Sequence, residues 1–166
     1  MQSKKILWFL FIVCLLVLSK YILFKKSPGY YKAYFSHHHN QQVIKEGLKQ
    51  ANFRPFATIS LFSSARLRTE YKIENIGGNI IGFIPLGILL PLLFTRNLRN
   101  GWRVAAMVFL ISLSFETIQL LTGLGSFDVD DLILNTTGGI IGYIFYVITK
   151  KILNPEAIAF NLPPKN

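Results

Sequence analysis

Four long apolar runs constrain this sequence more strongly than any other feature. They cover about residues 6–24, 76–94, 102–121 and 132–149, and each is long enough to cross the hydrocarbon core of a bilayer as a helix. A soluble core would interleave apolar and polar positions instead. With 51% hydrophobic and 16% charged residues, the 166-residue chain is also too apolar for an ordinary soluble domain. We therefore predict an all-α membrane protein with four transmembrane helices in a single domain, residues 1–166.

The first run begins just after the basic pair Lys4 and Lys5, an arrangement that a secretory signal peptide also shows. This run is longer than the apolar part of a signal peptide, and no small-x-small cleavage pattern follows it. A retained spanning helix is therefore expected. Cys14, the one cysteine of the chain, lies inside this run and is expected to be a packing residue.

The connection between the first two runs, residues 25–75, is long and rich in charged, polar and aromatic residues. Ile44, Leu48 and Ala51 recur at helical spacing, which predicts a short amphipathic helix on the bilayer surface. The aromatic residues suit the headgroup zone, where rings lie partly in water. We predict a long first loop that contains short interfacial helical segments.

Prolines and glycines predict how the spanning helices bend and pack. Pro85 and Pro91 interrupt the second run, and each removes a backbone hydrogen bond, so a kinked helix is expected. Two pairs of glycines, four residues apart, predict close helix packing: Gly78 with Gly82, and Gly138 with Gly142.

The net charge of +10 is compatible with nucleic-acid binding, but the positions of the basic residues are not. Lys and Arg flank the apolar runs, as topology and anionic headgroups require. We therefore expect membrane lipids and no nucleic acid as partners. Basic residues near the N-terminus, in residues 95–101 and after Thr149 favour a cytoplasmic N-terminus and C-terminus, although the long loop is itself basic.

Four spans place the long loop and the short acidic hairpin, residues 122–131, on the same side of the membrane. The start of helix two, the end of helix three and the start of helix four therefore share one leaflet. Helical spacing puts the polar residues of these three places on converging faces, with Asp130 pointing elsewhere. The predicted polar cluster comprises Asn79, Glu116, Gln119, Asp128, Asp131 and Asn135.

Glu116 is the most unusual member of this cluster, because it lies about 8 Å below the end of its helix at 1.5 Å per residue. An acid in hydrocarbon costs about 2.5–3.5 kcal/mol, so Glu116 must face the bundle interior or a water-filled cavity. Either a functional site or a structural network that clamps the helices satisfies this requirement. Asp128 and Asp130 have a further reading as caps of the fourth helix.

An ordered set of motifs resembles the VanZ-like family over about residues 52–149. The motifs are Asn52-Phe53-Arg54-Pro55-Phe56, Asn79-x-x-x-Phe83-x-Pro85-x-Gly87, Ser114-x-Glu116-x-x-Gln119, and Asp128-x-x-Asp131-x-x-x-Asn135-x-x-Gly138-x-x-x-Gly142. The resemblance implies a multi-pass protein of the bacterial cytoplasmic membrane, from a family whose founding member is associated with resistance to the lipoglycopeptide teicoplanin. It implies no established reaction. Many relatives carry an arginine where this chain has Gly125, and Arg54 or Arg68 is expected to substitute for it.

The leading functional hypothesis is a cell-envelope protein that lowers susceptibility to teicoplanin-type antibiotics by binding or altering an envelope lipid. A lipid-linked envelope precursor and the lipoglycopeptide itself are the expected partners beyond bulk lipid. The expected ligand-binding residues are Asn79, Glu116, Gln119, Asp128, Asp131, Asn135 and Arg54.

Two alternatives remain open. The first is an intramembrane enzyme acting on a lipid-linked substrate, with Glu116 or Asp131 as general acid or base, although no convincing nucleophile is evident. The second is a small transporter, which would need an oligomer because four helices are few for a transport pathway.

No cofactor is expected. We interpret His37–His39 as a solvated polar patch, and a hard divalent cation bound by Glu116, Gln119, Asp128 and Asp131 is a minor alternative.

Overall fold

The computed structural model describes residues 2–24, 29, 31–32, 36, 40–63, 73–94, 98 and 100–153. Its helices are α1 (Gln2–Leu23), α2 (Asn40–Gln50), α3 (Ala57–Ser63), α4 (Gly78–Leu93), α5 (Gly101–Thr122) and α6 (Val129–Leu153), with a π-helical turn, Ile73–Gly77, before α4. Within these residues the extended pairing consists of a single bridge between Asn52 and Asp128. His37–His39 and Arg68, which entered the expectations above, lie outside the described residues.

Four of the helices are long and apolar enough to cross a membrane: Lys4–Leu23, Asn75–Leu93, Gly101–Thr122 and Val129–Leu153. The prediction of an all-α membrane protein with four spans is thereby confirmed, with boundaries within a few residues of those expected. Many large apolar side chains on these helices are exposed, including Phe9, Leu16 and Ile144. Such surfaces suit lipid tails, so the chain is a multi-pass membrane protein.

The core lies where α4, α5 and α6 meet, and α1 packs on its outside. Phe83, Leu86 and Leu90 of α4 are almost completely buried, as are Val104 and Val108 of α5. Leu18 and Leu23 extend the same cluster from α1. The outer helix therefore contributes only one side to the core and leaves its other sides to the lipid.

Small residues bring α4 and α6 into backbone contact. A Cβ atom added to Gly138 would lie 2.1 Å from the carbonyl oxygen of Ile80, and one added to Gly142 would lie 2.1 Å from that of Ile84. Gly87 of α4 is equally close to Gly139, so the predicted close packing at Gly138 and Gly142 is found.

In the other predicted glycine pair, only Gly82 lies close to a neighbouring helix. Open space surrounds the Cβ position of Gly78, and a Cβ atom on Gly82 would meet only a side-chain atom of Leu18, at 3.3 Å. The expectation for Gly78 is wrong because α4 approaches α6 through Ile80, Ile84 and Gly87, whereas the Cβ position of Gly78 faces open space.

The long connection contains the short helices that were predicted. Helix α2 covers the predicted amphipathic segment and packs across the end of α5, where a Cβ atom on Gly47 would lie 3.1 Å from Leu120 Cδ1. Helix α3 follows the Asn52–Phe56 segment and approaches the start of α6. Both short helices therefore lie at the end of the helical bundle where α5 stops and α6 starts. This end is called the cluster end below.

Candidate functional site

The hairpin between α5 and α6 fixes the centre of the cluster end. Gly123 adopts a left-handed conformation, with φ of 67°, and its N–H donates to the carbonyl of Gln119 at 2.8 Å, so a glycine closes α5. Asp128 then caps α6, because its Oδ1 accepts a hydrogen bond from the N–H of Asp130 at 2.8 Å. The expected capping role is therefore found at Asp128.

Glu116 reaches this hairpin from within α5. Its side chain is only 1% exposed, and its Oε2 accepts a hydrogen bond from the N–H of Asp128 at 2.8 Å. The acid predicted to avoid lipid thus points into the bundle and holds the start of α6 against the end of α5. A carboxylate has further acceptor positions beyond this bond.

The segment Asn52–Phe56 is hydrogen-bonded to the hairpin through both backbone and side chain. The N–H of Asn52 donates to the carbonyl of Phe127 at 2.8 Å, and the N–H of Val129 donates to the carbonyl of Asn52 at 3.0 Å. Asn52 Nδ2 donates to Asp128 Oδ1 at 2.8 Å, while the hydroxyl of Thr58 donates to Asp128 Oδ2 at 2.6 Å. Asp128 therefore joins the long loop to the start of α6.

Asp130 was expected to point away from the cluster, and this expectation is wrong. It is completely buried, and its two carboxylate oxygens accept hydrogen bonds from the backbone N–H groups of Phe56, Thr58 and Ile59. These donors open α3, where the first N–H groups have no partner within the helix. The long loop supplies all three donors and so encloses the carboxylate of Asp130.

The side-chain amides of Asn79, Gln119 and Asn135 connect the spanning helices to one another. Asn79 Nδ2 of α4 donates to Asp131 Oδ1 of α6 at 2.6 Å, and Asn135 Nδ2 of α6 donates to the hydroxyl of Ser112 on α5 at 2.8 Å. Gln119 Nε2 donates to the carbonyl of Ile22 at 3.0 Å and so connects α5 with the end of α1. The predicted convergence of polar side chains from α4, α5 and α6 is found, and α1 adds the backbone carbonyl of Ile22.

Two oxygens in this layer keep unused acceptor capacity. Gln119 Oε1 and Asn135 Oδ1 are buried and have no hydrogen-bond partner among the described residues. Buried polar atoms are usually paired, so these two oxygens are the positions at which the network can accept a further donor.

Gly125, where the family resemblance led us to expect an arginine, lies beside the Gln119 side chain. A Cβ atom at Gly125 would lie 2.5 Å from Gln119 Nε2, so the Gln119 side chain occupies the space beside this glycine. Arg54, the expected substitute, has an exposed side chain at the rim of the cluster, and its backbone N–H donates to Asn52 Oδ1 at 3.0 Å. A binding role for Arg54 stays a prediction.

The carboxylates of the cluster are directed at N–H and O–H donors. Among the described residues, no group of three or more His, Cys, Asp or Glu side chains is placed to hold a metal ion. Asp128 and Asp130 already accept three hydrogen bonds each. The divalent-cation alternative therefore gains no support from the geometry.

A half-open groove of about 860 Å³ runs between α1 and α4 and ends at the cluster. Its walls are apolar over most of the length, with Val13, Val17 and Ile81 among them, and Asn75 and Asn79 line its polar end. Asn79 is also the donor to Asp131, so the groove leads directly to the hydrogen-bonded network.

Comparison with known sequences identifies the family. Residues 9–150, most of the chain, match the sequence profile of VanZ/LLP1. The chain belongs to the VanZ/LLP1 family. The resemblance inferred from the ordered motifs is thereby confirmed, and the match extends it to include α1.

A VanZ/LLP1 relative, Protein VanZ of Enterococcus faecium, is 37% identical to this chain over 80 residues. The alignment covers 48% of each protein, so the chain spans about half the length of the curated relative it matches. No solved structure matches the chain.

Sequence reasoning did not place three residues of this VanZ/LLP1 chain in the hydrogen-bonded cluster: Asn52, Thr58 and Asp130. Asn52 stood in a recognised motif, but its contact with Asp128 depends on how the long loop folds back. The sequence signal for this contact was Asp130 itself. A carboxylate enclosed by protein needs hydrogen-bond donors, and the free N–H groups at the start of a short helix in the loop can supply them.

Proposed function

We propose that this chain is a bacterial cell-envelope protein that lowers susceptibility to teicoplanin-type glycopeptides by binding an envelope lipid at its membrane-embedded polar cluster. The observation that carries this proposal is the hydrogen-bonded network at the cluster end, in which Glu116, Asn135 and Ser112 are buried and the Asn79–Asp131 pair is half-buried. Membership of the VanZ/LLP1 family supports the link to this antibiotic class.

The charge distribution supports an outward-facing cluster. Lys4 and Lys5 lie in the first turn of α1, and Lys150 and Lys151 lie in the last turn of α6, whereas residues 122–131 carry acids and no Lys or Arg. The positive-inside rule therefore favours a cytoplasmic N-terminus and C-terminus in the cytoplasmic membrane. In this orientation the cluster lies in the outer leaflet, where an extracellular glycopeptide and a lipid-linked envelope precursor meet.

The geometry favours binding over catalysis. Glu116 accepts a backbone N–H and Asp131 accepts an amide N–H, so both candidate acids are held as hydrogen-bond acceptors. General acid–base work needs a proton transfer partner within reach, and a covalent route needs a nucleophile beside a base. The hydroxyl of Ser112 accepts from Asn135, and the hydroxyl of Thr58 donates to Asp128, whose carboxylate also accepts from Asn52 and from the N–H of Asp130.

Antibiotic susceptibility of a sensitive Gram-positive host tests this proposal. The host expresses the intact chain, Glu116→Gln or Asp131→Asn at matched membrane levels. Both substitutions keep an acceptor oxygen at the position of the existing hydrogen bond but remove the negative charge. We expect the intact chain to protect against teicoplanin more than against vancomycin, and we expect both variants to lose protection.

Glu46→Gln provides the matched control, because Glu46 lies exposed on α2. This variant is expected to protect as well as the intact chain. Absence of protection by the intact chain would refute the link to teicoplanin, whereas full protection by both cluster variants would refute the role of the cluster.

A further inference from the structure

The groove between α1 and α4 extends from the polar cluster into the apolar part of the bundle. From Asn75 to Leu89 it follows fifteen residues of helix, whose ends are about 21 Å apart at a rise of 1.5 Å per residue. One leaflet with its headgroup region is about 20–22 Å thick, half of the about 40–45 Å of a whole bilayer. The groove is therefore as long as one leaflet is thick.

The ends of the groove differ in the way that the two ends of a lipid differ. At the cluster end, Asn75 and Asn79 provide amide donors and acceptors. At the far end, the rings of Trp8 and Phe94 meet edge to face, with centroids 5.6 Å apart, and bring α1 and α4 into contact beyond the groove. A ligand in the groove thus has its polar part at the cluster and its apolar part stopped within the membrane.

The floor of the groove shows why it stays open. A Cβ atom added to Gly82 would lie 3.3 Å from Leu18 Cδ2, so α1 and α4 lie close together there. Gly78, one turn earlier on the same side of α4, has no atom within 4 Å of its Cβ position. The missing side chain at Gly78 leaves the polar end of the groove accessible.

We propose that this groove binds one hydrocarbon chain of a membrane lipid from the leaflet at the cluster end, with the lipid headgroup hydrogen-bonded at Asn75 and Asn79. The inference rests on the proposed function and specifies how the envelope lipid is held. A membrane lipid is the occupant, rather than the acyl tail of the antibiotic, because the groove is open along its side to the hydrocarbon and matches one leaflet in length.

Photo-crosslinking in vesicles tests the occupant. The full chain is reconstituted in phosphatidylglycerol vesicles containing a small fraction of phosphatidylglycerol with a photoreactive group midway along one chain. Crosslinked peptides are then quantified for the groove, at Val13, Val17 and Ile81, and for the outer surface of α6, at Ile144 and Ile148. We expect a several-fold higher yield in the groove than at the equally lipid-exposed α6 surface.

Gly78→Leu is the blocking variant, because its side chain enters open space at the polar end and a leucine favours the helix over glycine. It is expected to abolish the groove enrichment. Ala106→Leu adds the same kind of bulk to an exposed position of α5 outside the groove and is expected to leave the enrichment unchanged. Equal yields at the groove and at α6, or enrichment that survives Gly78→Leu, would overturn the proposal.

Competition separates the two sources of a hydrocarbon chain. Teicoplanin, but not vancomycin, would remove the groove crosslinks if the antibiotic tail were the occupant, and that result would overturn the assignment to a membrane lipid. Groove enrichment in a chain that gives no teicoplanin protection would refute the proposed function and leave the lipid site standing. Protection that persists in Gly78→Leu, with crosslinks lost, would separate the groove from the antibiotic effect and refute its place in the proposed function.

Discussion

Asp130 shows how a single residue joins the loop to the membrane helices. Its carboxylate is completely buried and receives three backbone N–H groups from residues 56–59. Phe56, one of the donors, has a positive φ of 66°, which is unfavourable for a residue with a side chain. The hydrogen bond to Asp130 helps to hold the loop in this conformation.

Asp130→Ala should therefore destabilise the protein by about 3 kcal/mol or more, since each unsatisfied buried donor costs about 1–3 kcal/mol. Thermal unfolding of the purified protein in detergent, with the amount of protein in the membrane, measures the effect. Asp131→Asn is the control: it keeps an oxygen for Asn79 and should change stability little. An Asp130→Ala protein as stable as the Asp131→Asn protein would contradict the role of Asp130.

Among the elements, α4 and α6 are the most closely packed pair. A Cβ atom added to Gly138 would lie 2.1 Å from the carbonyl oxygen of Ile80, so an alanine at this position would force the two helices apart. Gly138→Ala should destabilise the bundle by about 1–3 kcal/mol through overpacking. Gly78→Ala lies in open space on α4 and should be neutral or stabilise by up to about 1 kcal/mol. Unfolding of both variants in the same detergent measures the difference, and similar stabilities would show that the contact is not tight.

The elements also show what sequence reasoning can reach. Apolar run length predicted four spans, and the requirement that consecutive spans alternate in direction predicted that Asn79, Glu116 and Asp131 share one end. The fourth helix is longer than expected and runs from Val129 to Leu153. The expected bounds followed the apolar run alone, whereas the helix also includes charged residues such as Asp130 and Lys151 in its first and last turns. The position of the long loop over Asp130, and the groove between α1 and α4, depend on tertiary packing that no local pattern encodes.

At the scale of the whole molecule, the orientation in the membrane decides whether the cluster can act on lipids that an extracellular antibiotic meets. In the proposed orientation the N-terminus is inside, so the hairpin between α5 and α6 should be outside. Ser126 is exposed in this hairpin, and Asn100 is exposed before α5 at the opposite end of the spans. These two positions report the two sides of the membrane.

Single cysteines can be introduced at these positions in a Cys14→Ala background, which removes the one native thiol. In intact cells, Ser126→Cys should react with a membrane-impermeant maleimide, whereas Asn100→Cys should react only after the membrane is permeabilised. The reverse pattern would place the cluster in the cytoplasmic leaflet. The carboxylates and amides would then face lipids before their export, and an effect on teicoplanin would have to act through the supply of an envelope lipid instead of at the surface where the antibiotic binds.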